Sequence, residues 1–311
     1  MTTYVGNFDF EATLAGGRKL PASAYARMSR LAGLLLLLAE DDDTIATPGY
    51  QRPLIEGDGV PAVHWTDAPY DSDVRRWGDD TKKARDLVRK LNDKRTVAPL
   101  TPDATIVTTA AELPTDEHRY LLKPAFGGFG RGAKRYAADR PDETTEGWLA
   151  GLSKRGGAVC ERLREIDREA ATHLVARGDG THVLGSTESI VDDSGQPVAV
   201  VATRGRSILP NAVLVKASVA IGGLVGSYLG PLSIDHAHCR LAGTTDEFAW
   251  RLVQEINARW TLGFLAFAAS RRWVCDVAIA LDATWQPGFD VTRCWQITGA
   301  DGSPARVFFG R

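Results

Sequence analysis

A lysine that ends an apolar run, followed at once by a glycine-rich segment, is the feature of this sequence best suited to chemistry. The run covers residues 120–123, and the segment after it contains Gly127, Gly128, Gly130 and Gly132. Glycine adopts positive φ readily, so such a loop can bring backbone N–H groups close to a ligand. Lys123 and Arg131 would add positive charge to the same ligand atoms. The pattern predicts a loop that holds a phosphate chain.

The loop matches neither of the common nucleotide-binding motifs. No Gly-Lys-Ser/Thr sequence closes it, which excludes a Walker A loop, and the chain after Gly132 does not open as a helix, which excludes a dinucleotide fingerprint. Because glycine-rich turns are common, a flexible hairpin tip is the alternative interpretation of the loop taken alone. Its function therefore depends on the residues around it.

The first third of the sequence predicts the elements of an open α/β sheet. Residues 22–40 are mostly small and apolar and lead into an acidic turn at 41–43, which predicts a helix, and a short strand is predicted at 44–46. This succession is repeated less clearly through residues 60–65. An exposed amphipathic helix is predicted over residues 79–94, and a domain boundary is expected near it.

From residue 105 onward, short β-rich runs predict an antiparallel or mixed sheet. These runs are 105–108, 120–123, 158–161, 172–177, 182–186 and 190–191. Residues 245–260 are predicted as the last helix, because their large apolar residues recur at every fourth position: Phe248, Leu252, Ile256 and Trp260. Two further strands are predicted over 264–268 and 273–281, joined through 270–272.

Composition narrows the class of protein. The chain has 311 residues with 37 Lys+Arg against 39 Asp+Glu, a formal net charge of −2, so nucleic acid is not an expected partner. The cysteines form no Cys-x-x-Cys pair, which favours a reducing compartment. Residues 1–9 lack the features of a secretory signal, and the most apolar stretch, 31–39, is shorter than the about 20 residues of a membrane helix. We expect a cytoplasmic protein without a membrane segment.

The order of strand, Lys-Pro, glycine-rich flap and strand resembles the ATP-grasp superfamily of carboxylate–amine ligases, with an ATP-binding domain like that of glutathione synthetase. Lys94 is similar to the family's first nucleotide lysine. Residues 159–163 resemble the strand and hinge that hold adenine through main-chain hydrogen bonds, and Glu169 resembles a carboxylate near the ribose. The resemblance implies a nucleotide-binding set: Lys94, Lys123, Gly127, Gly128, Phe129, Gly130, Arg131, Gly132, Glu161, Arg162, Leu163 and Glu169.

The family holds its metal with an Asp or Glu on one strand and a Glu-x-Asn on the next. The resemblance implies Asp276, in an otherwise apolar run, as the first acid, and Asp290 and Thr292 at the Glu and Asn positions. Both residues depart from the pattern, which leaves weakened catalysis as an alternative. Magnesium prefers hard oxygen ligands, so two carboxylates and nucleotide oxygens can be enough. A competing alignment places Gln296 and Thr298 at these positions, but Gln carries no charge.

Other residues are also candidates for chemistry. Arg204 and Arg206 fall where the family often places an arginine for the acyl phosphate, so they join Lys123 in the predicted catalytic set, with a solvated strand end as the alternative. Lys216 is a candidate with less support. Residues 235–239, Asp-His-Ala-His-Cys, invite a zinc site, but no fourth ligand is evident, and a polar loop is the preferred interpretation.

The resemblance implies an ATP-grasp fold, α/β and α+β. An open α/β domain is expected over residues 1–90, and two α+β subdomains, 91–165 and 166–311, are expected to clamp ATP. The implied function is an ADP-forming ligase that uses ATP and Mg²⁺ to join the carboxylate of a small molecule or peptide to an amine through an acyl phosphate. An ATP-binding module with little or no ligase activity and an ATP-dependent phosphotransferase are alternatives, and formation of a homo-oligomer stays open.

Overall fold

The computed structural model describes residues 1–16, 20–69, 73–79, 81, 84–127, 132–137, 143–192 and 195–311. Its helices are α1 (Phe10–Leu14), α2 (Ala22–Leu34), α3 (Arg85–Asn92), α4 (Lys94–Val97), α5 (Glu143–Ser153), α6 (Asn211–Val225) and α7 (Leu262–Trp273). Its strands are β1 (Thr3–Val5), β2 (Thr44–Ala46), β3 (Leu54–Glu56), β4 (His64–Thr66), β5 (Val74–Arg76), β6 (Ala104–Val107), β7 (Arg119–Pro124), β8 (Lys134–Ala137), β9 (Ala158–Arg162), β10 (Arg164–Arg177), β11 (Gly180–Val191), β12 (Pro197–Ala202), β13 (Gly230–Leu241), β14 (Ala249–Asn257), β15 (Asp276–Ala280), β16 (Val291–Thr298) and β17 (Pro304–Gly310). Short 3₁₀ segments are Leu35–Leu37, Ala98–Leu100 and Ala110–Glu112.

The N-terminal sheet is parallel, in the order β4-β2-β1-β5. Strands β1 and β2 are buried throughout, as expected of parallel strands that are covered on both faces. The leucines of residues 31–37, in α2 and the 3₁₀ segment after it, supply much of the adjoining core. The expected open α/β sheet is therefore confirmed, although α2 ends at Leu34 rather than at residue 40.

The central sheet is antiparallel, in the order β6-β9-β7-β8. Tyr120 and Leu122 of β7 are buried in its core together with Leu149 of α5. Because neighbouring side chains of a strand point to opposite faces, this packing leaves Lys123 on the other face of β7. Only Leu163 separates β9 from β10, so one residue connects the central sheet with the next sheet.

The C-terminal sheet is antiparallel throughout, in the order β14-β13-β10-β11-β12-β15-β17-β16-β3. Its last strand comes from the first third of the chain, because β3 pairs with β16 from Leu54 opposite Thr298 to Glu56 opposite Gln296. The domain boundaries predicted near residues 90 and 165 stay predictions. Strand β3 lies in the predicted N-terminal domain by sequence but pairs within the C-terminal sheet, which the sequence did not predict. No helix within the described residues is long and apolar enough to cross a membrane.

Elements near the C-terminus differ from the prediction. The helix predicted over 245–260 is wrong, because these residues contain β14; a spacing of four places side chains on one face of a strand as well as of a helix. The strand predicted over 264–268 and the joint at 270–272 lie inside α7. The polar loop predicted at 235–239 lies within β13. Short apolar runs suit a strand and a buried helix equally, so tertiary packing decides between them.

Candidate functional site

A cavity of about 750 Å³ is bordered by the central sheet and the C-terminal sheet, a volume typical of small-molecule and cofactor sites. Predicted nucleotide residues that line it are Lys94, Lys123, Gly127, Glu161, Arg162, Leu163 and Glu169. Gly132 lies in the turn before β8 with a φ of 80°. The predicted loop residues outside the described part of the chain are Gly128, Phe129, Gly130 and Arg131. The structure thus brings together the two lysines and the carboxylates that sequence reasoning assigned to the nucleotide.

Lys94 is held at the cavity by the start of α4, which the side chain of Asp93 caps. Its Nζ donates to Gly127 O and pairs with Glu255 Oε1, both at 2.7 Å. Burial lowers the pKa of Lys94, but the carboxylates of Glu255 and Glu11 outweigh burial and hold this pKa above its ordinary value. Lys94 therefore stays charged although its side chain is mostly buried.

Glu161 connects Lys123 to a further cation. Lys123 Nζ pairs with Glu161 Oε1, and Arg251 of β14 donates to Glu161 Oε2 at 2.6 Å. Glu161 is only 3% exposed. Burial raises its pKa, but Lys123 and Arg251 outweigh burial and lower the pKa of Glu161 to about 2. Glu161 is thus a permanently charged counter-ion, and Arg251 is a site residue that the sequence prediction missed.

Carboxylates from neighbouring strands crowd the same cavity. Asp235 of β13 lies opposite Glu255 of β14 in the strand register, and Asn257 Nδ2 donates to Asp235 Oδ2 at 3.0 Å. Burial first, and then the charge of Glu255, raise the pKa of Asp235 to about 7. Burial also raises the pKa of Glu169 on β10, against the opposing effect of Lys123. A divalent cation would relieve this crowding of like charges.

Arg259 extends the cavity beyond the end of β14. Its guanidinium pairs with Glu11 of α1, and it donates to Asn257 Oδ1 at 2.9 Å and to Trp260 O at 3.1 Å. Burial raises the pKa of Glu11, but Arg259 and Lys94 together outweigh burial and hold this pKa below its ordinary value. A backbone bridge joins Arg259 to Gly78, so the N-terminal sheet reaches the cavity here. The sequence prediction missed both Glu11 and Arg259.

The structure does not bring the predicted metal residues to this cavity. Asp276 begins β15, which β11 and β12 separate from β10, and its Oδ1 accepts a hydrogen bond from Arg204 N–H at 2.7 Å. Asp290 is exposed, and Thr292 Oγ1 donates to Phe309 O at 3.1 Å. The prediction for Asp276 assumed that a carboxylate in an apolar strand needs a cation. A backbone N–H satisfies it instead.

The remaining candidates also lie outside the cavity lining. Gln296 and Thr298 are on β16, where they pair with β3 at the opposite edge of the sheet from β14. Arg204 and Arg206 are exposed in the turn after β12, and Lys216 is exposed on α6. The predicted catalytic arginines thus do not line the cavity, whereas Arg251 on β14 and Arg259 just after it do.

Residues 235–239 do not form a zinc site. Successive side chains of β13 point to opposite faces, so Asp235 lines the cavity while His236 turns away from it. His236 Nε2 instead lies 2.7 Å from Thr172 Oγ1, and burial lowers the pKa of His236 to about 4. His238 pairs with Asp167 at 2.8 Å.

The pattern expected of the metal site does occur in the chain, at other positions than predicted. Asp235 stands on one strand, and Glu255 and Asn257 stand as Glu-x-Asn on the next strand in the chain. This triplet is visible in the sequence, but the predicted helix obscured it. Residues two apart lie on different sides of a helix and on the same face of a strand, so only the strand directs both side chains at one ligand.

The residues present fit a magnesium ion. Within the described ranges no group of three or more His, Cys, Asp or Glu side chains has the spacing of a metal site. Two carboxylates and one amide, from Asp235, Glu255 and Asn257, nevertheless offer hard oxygen donors. Magnesium usually binds one or two protein carboxylates together with water and substrate phosphates, so an incomplete protein shell agrees with its chemistry.

In the predicted adenine hinge, the backbone N–H and C=O of Leu163 both form hydrogen bonds within the protein. Leu163 N–H donates to Arg119 O at 2.8 Å, and Leu163 O accepts from Ala242 N–H at 2.9 Å. A carbonyl oxygen has two lone pairs, so Leu163 O can accept one more hydrogen bond, whereas its N–H is already used. Of the two backbone groups of Leu163, only the carbonyl can therefore accept a hydrogen bond from adenine.

The chain is similar in structure to several solved proteins along most of its length. An L-amino acid ligase from Bacillus licheniformis aligns with a TM-score of 0.51 at 12% identity, covering 99% of this chain and 93% of that one. A carboxyaminoimidazole ribonucleotide synthase from Aspergillus clavatus, complexed with ATP, aligns with a TM-score of 0.51 at 12% identity, covering 100% and 94%. No protein-family model and no curated protein matches the sequence.

A third similar structure limits what the likeness implies. A pyruvate carboxylase from Rhizobium etli aligns with a TM-score of 0.50 at 13% identity, covering 90% of this chain and 31% of the longer protein. Proteins with different activities thus share the arrangement of sheets. The chain has the ATP-grasp fold, as the resemblance of its sequence implied, and a shared fold does not by itself determine its activity.

Proposed function

We propose that this protein is an ADP-forming, ATP-dependent ligase that joins a carboxylate to an amine through an acyl phosphate. The observation that carries the proposal is the convergence of Lys94 and Lys123 with Asp235 and Glu255 on one cavity of an ATP-grasp fold. The similarity to an amino acid ligase and to a synthase with bound ATP supports it.

The lysines are suited to hold the phosphates of ATP. Lys94 and Lys123 carry positive charge into the cavity, while Glu161 and Glu255 neutralise part of it. Phosphate oxygens form charge-assisted hydrogen bonds with ammonium groups, which are stronger than neutral ones. We assign the β- and γ-phosphates to these two lysines, and the adenine to the segment between β9 and β10.

Magnesium would be held by Asp235, Glu255 and Asn257 rather than by Asp276 and Asp290. When bound, it would offset the charge that develops on the phosphates during transfer. The raised pKa of Asp235 fits this role, because a cation favours the ionised form that Glu255 now disfavours.

Two displacement steps make up the proposed reaction. An oxygen of the substrate carboxylate attacks the γ-phosphorus, the bond from that phosphorus to the β–γ bridging oxygen breaks, and ADP leaves. The amine nitrogen then attacks the acyl carbon, phosphate leaves with the electron pair of the C–O bond, and the nitrogen loses a proton. Arg259 stands near Asn257, where its guanidinium would orient the carboxylate and stabilise the acyl phosphate. It takes the role predicted for Arg204 and Arg206.

The test is ADP release over a panel of acid and amine pairs, with a matched pair of aspartate variants. Asp235→Asn should raise the Mg²⁺ concentration for half-maximal activity by about tenfold or more, because it removes a direct ligand. Asp276→Asn serves as the control, since its carboxylate accepts a backbone hydrogen bond away from the cavity. A Mg²⁺ response altered by Asp276→Asn but not by Asp235→Asn would restore the metal site predicted from sequence.

The alternatives differ in their products. An ATP-binding module with little activity was suggested by the missing Glu-x-Asn, and the presence of Glu255 and Asn257 in the cavity removes that reason. An ATP-dependent phosphotransferase would release ADP without any amine and yield a stable phosphorylated product. ADP release that requires both the acid and the amine therefore distinguishes a ligase from both alternatives.

A further inference from the structure

A smaller cavity of about 400 Å³ adjoins the nucleotide cavity. Trp77 and Arg259 line both of them, so the two spaces meet at these side chains. The smaller cavity is walled by β5 of the N-terminal sheet on one side and by β10, the start of β13 and α7 on the other. A molecule in it would lie beside Arg259, where the proposed phosphoryl transfer ends.

The position of this cavity is one that open α/β sheets use for ligands. The chain runs from β1 to β2 and β4 on one side and then returns to place β5 on the other side of β1. Ligands of such sheets bind beyond the carboxyl ends of the strands, at the point where the strand order reverses. Arg76 and Trp77 stand at that end of β5. Asn7, just after β1, clamps the same edge by donating to Gly78 O at 2.8 Å.

Aromatic side chains form much of the cavity wall. Trp260 and Phe264 pack edge to face with ring centroids 4.7 Å apart, and the backbone N–H of Trp260 donates to the backbone carbonyl of Trp77 at 2.8 Å. Tyr228 also lines the cavity, and its hydroxyl donates to Pro231 O at 2.6 Å. Because that hydroxyl is already used within the protein, the ring offers an apolar surface. These walls suit a ligand with a flat, apolar ring.

Three arginines and one carboxylate line the cavity: Arg75, Arg76, Arg259 and Asp79, whose Oδ1 accepts a hydrogen bond from Thr81 N–H at 3.0 Å. Arg259 is paired with Glu11, and Arg75 with Asp73 at 3.5 Å. Arg76 also lines the cavity, and no described carboxylate lies within ion-pair distance of its guanidinium. Arg76 is two residues from Gly78, the bridge partner of Arg259, so their backbones are separated by about 7 Å along the strand.

We propose that the smaller cavity binds the acid substrate, and that this acid has a flat apolar body with two anionic groups. One carboxylate lies at Arg259, facing the nucleotide cavity, where it becomes the acyl phosphate. The second anionic group lies at Arg76, at the carboxyl end of β5. The assignment of the first carboxylate rests on the proposed ligase function, whereas the preference for a second anion depends only on the smaller cavity.

The experiment uses isophthalate as the probe, with benzoate as the matched ligand that lacks the second carboxylate and glutarate as the dianion that lacks the ring. Binding is measured by titration calorimetry without nucleotide. We expect isophthalate to bind at least about tenfold more tightly than benzoate, because a charge-assisted bidentate contact to Arg76 is added. Glutarate should bind more weakly than isophthalate because it does not fill the aromatic walls.

Variants of Arg76 test whether this residue causes the preference for isophthalate over benzoate. Arg76→Met should remove the preference for isophthalate without changing benzoate binding, and Arg76→Gln repeats the test with a polar side chain should the first variant fold poorly. Arg27→Met is the control, because Arg27 pairs weakly with Asp301 on the surface at 3.9 Å. Equal affinity for isophthalate and benzoate, absence of binding of either, or a preference that survives both Arg76 variants would overturn the proposal.

ADP binding by the same variants distinguishes failure of the acid site from failure of the proposed ligase function. Arg76 does not line the nucleotide cavity, so ADP affinity should be unchanged in Arg76→Met. Lost dianion preference with intact ADP binding supports the acid site. Intact ADP binding and amine-dependent ADP release without any dianion preference would refute the acid site while leaving the ligase proposal in place.

Discussion

At the scale of single residues, buried carboxylates pair with the cations of the nucleotide cavity. Glu161 serves both Lys123 and Arg251, so this group of three carries one net positive charge. A buried ion without a partner would be very unfavourable, whereas a paired and hydrogen-bonded one is tolerated. The network therefore maintains a positive surface ready for phosphate without an exposed lysine cluster.

Nucleotide affinity tests the role of Lys123. Lys123→Ala should weaken ADP binding by about tenfold or more, since hydrogen bonds to charged groups contribute roughly 1.5–3 kcal/mol. Lys90→Ala is the matched control, because Lys90 is exposed on the nearby helix α3. Calorimetric titration measures both. Unchanged ADP affinity in Lys123→Ala would contradict the assignment of the cavity to a nucleotide.

The pH dependence of stability tests the crowding around Asp235. Because its folded-state pKa is raised, the stability that Asp235 contributes is complete below its ordinary value of 3.8 and is lost as the pH rises through about 7. Without divalent ions, the unfolding temperature should therefore fall as the pH rises toward this value. Added Mg²⁺ should recover stability at neutral pH, because it binds the ionised carboxylate.

Two variants isolate this effect in thermal unfolding scans. Asp235→Asn should flatten the slope, and Asp276→Asn should leave it unchanged. Glu161 affects stability in a different pH range. Because its pKa is lowered from the ordinary value of 4.5 to about 2, its contribution to stability is lost only as the pH falls below 4.5 toward about 2. A slope that is identical in wild type and Asp235→Asn would disprove the raised pKa.

At the scale of elements, strand β14 and helix α7 together build one wall of the site. The strand places Glu255 and Asn257 on one face, and Thr261 then caps α7 by accepting from Phe264 N–H at 3.1 Å. Ser233 and Thr261 lie 3.1 Å apart through their hydroxyls, which connects β13 to the start of the helix. The cap thus fixes where the strand stops and the helix begins.

A pair of glycine variants tests the packing of α7. A Cβ at Gly263 would lie 2.6 Å from Thr187 Oγ1 and 2.7 Å from His173 Cε1, inside a buried group. Gly263→Ala should therefore destabilise the fold by about 1–3 kcal/mol. Gly222, exposed on α6, has nothing within 4 Å of the added atom, so Gly222→Ala should stabilise by about 0.5–1 kcal/mol. Urea unfolding measures both, and equal effects of the two variants would contradict the packing described.

At the scale of the whole molecule, a shared sheet and a buried ion pair are two of the contacts that join the first third of the chain to the remainder. Strand β3 extends the C-terminal sheet, and Glu11 pairs with Arg259 beside the site. The second connection is mostly buried, with side-chain exposures of 23% and 12%. The first third of the chain therefore reaches the candidate site, and this buried pair also contributes to stability.

A double-mutant cycle tests the connection between Glu11 and Arg259. Removing one member of a buried pair leaves a charge without its partner, so Glu11→Gln should destabilise by about 3 kcal/mol or more. The combined variant with Arg259→Met should cost less than the sum of the single changes, with a coupling of at least about 1 kcal/mol. Asp73→Asn, which breaks an exposed pair, is the control and should cost about 1 kcal/mol or less. Additive effects in urea unfolding would show that the two residues do not interact.

Half of the candidate site was predictable from local sequence signals. Lys123 and the glycine-rich loop, Lys94 after its helix, and Glu161 and Glu169 were all assigned to the nucleotide, and the described residues among them reach the cavity or its edge. The metal ligands that we propose, Asp235, Glu255 and Asn257, lie on other strands than the residues that the sequence predicted. An i, i+4 apolar spacing describes a helix and a strand alike, so the prediction turned β14 into a helix and separated Glu255 from Asn257.

The sequence by itself determined the ATP-grasp fold class, the parallel sheet near the N-terminus, and the lysine that lines the candidate site. These features depend on short-range patterns that the chain carries wherever it folds. Only the tertiary structure decided which acids face the lysines, because Asp235 and Glu255 meet through pairing between β13 and β14. The same holds for Glu11 and Arg259, which lie near opposite ends of the chain and meet only because the N-terminal sheet packs against the end of β14.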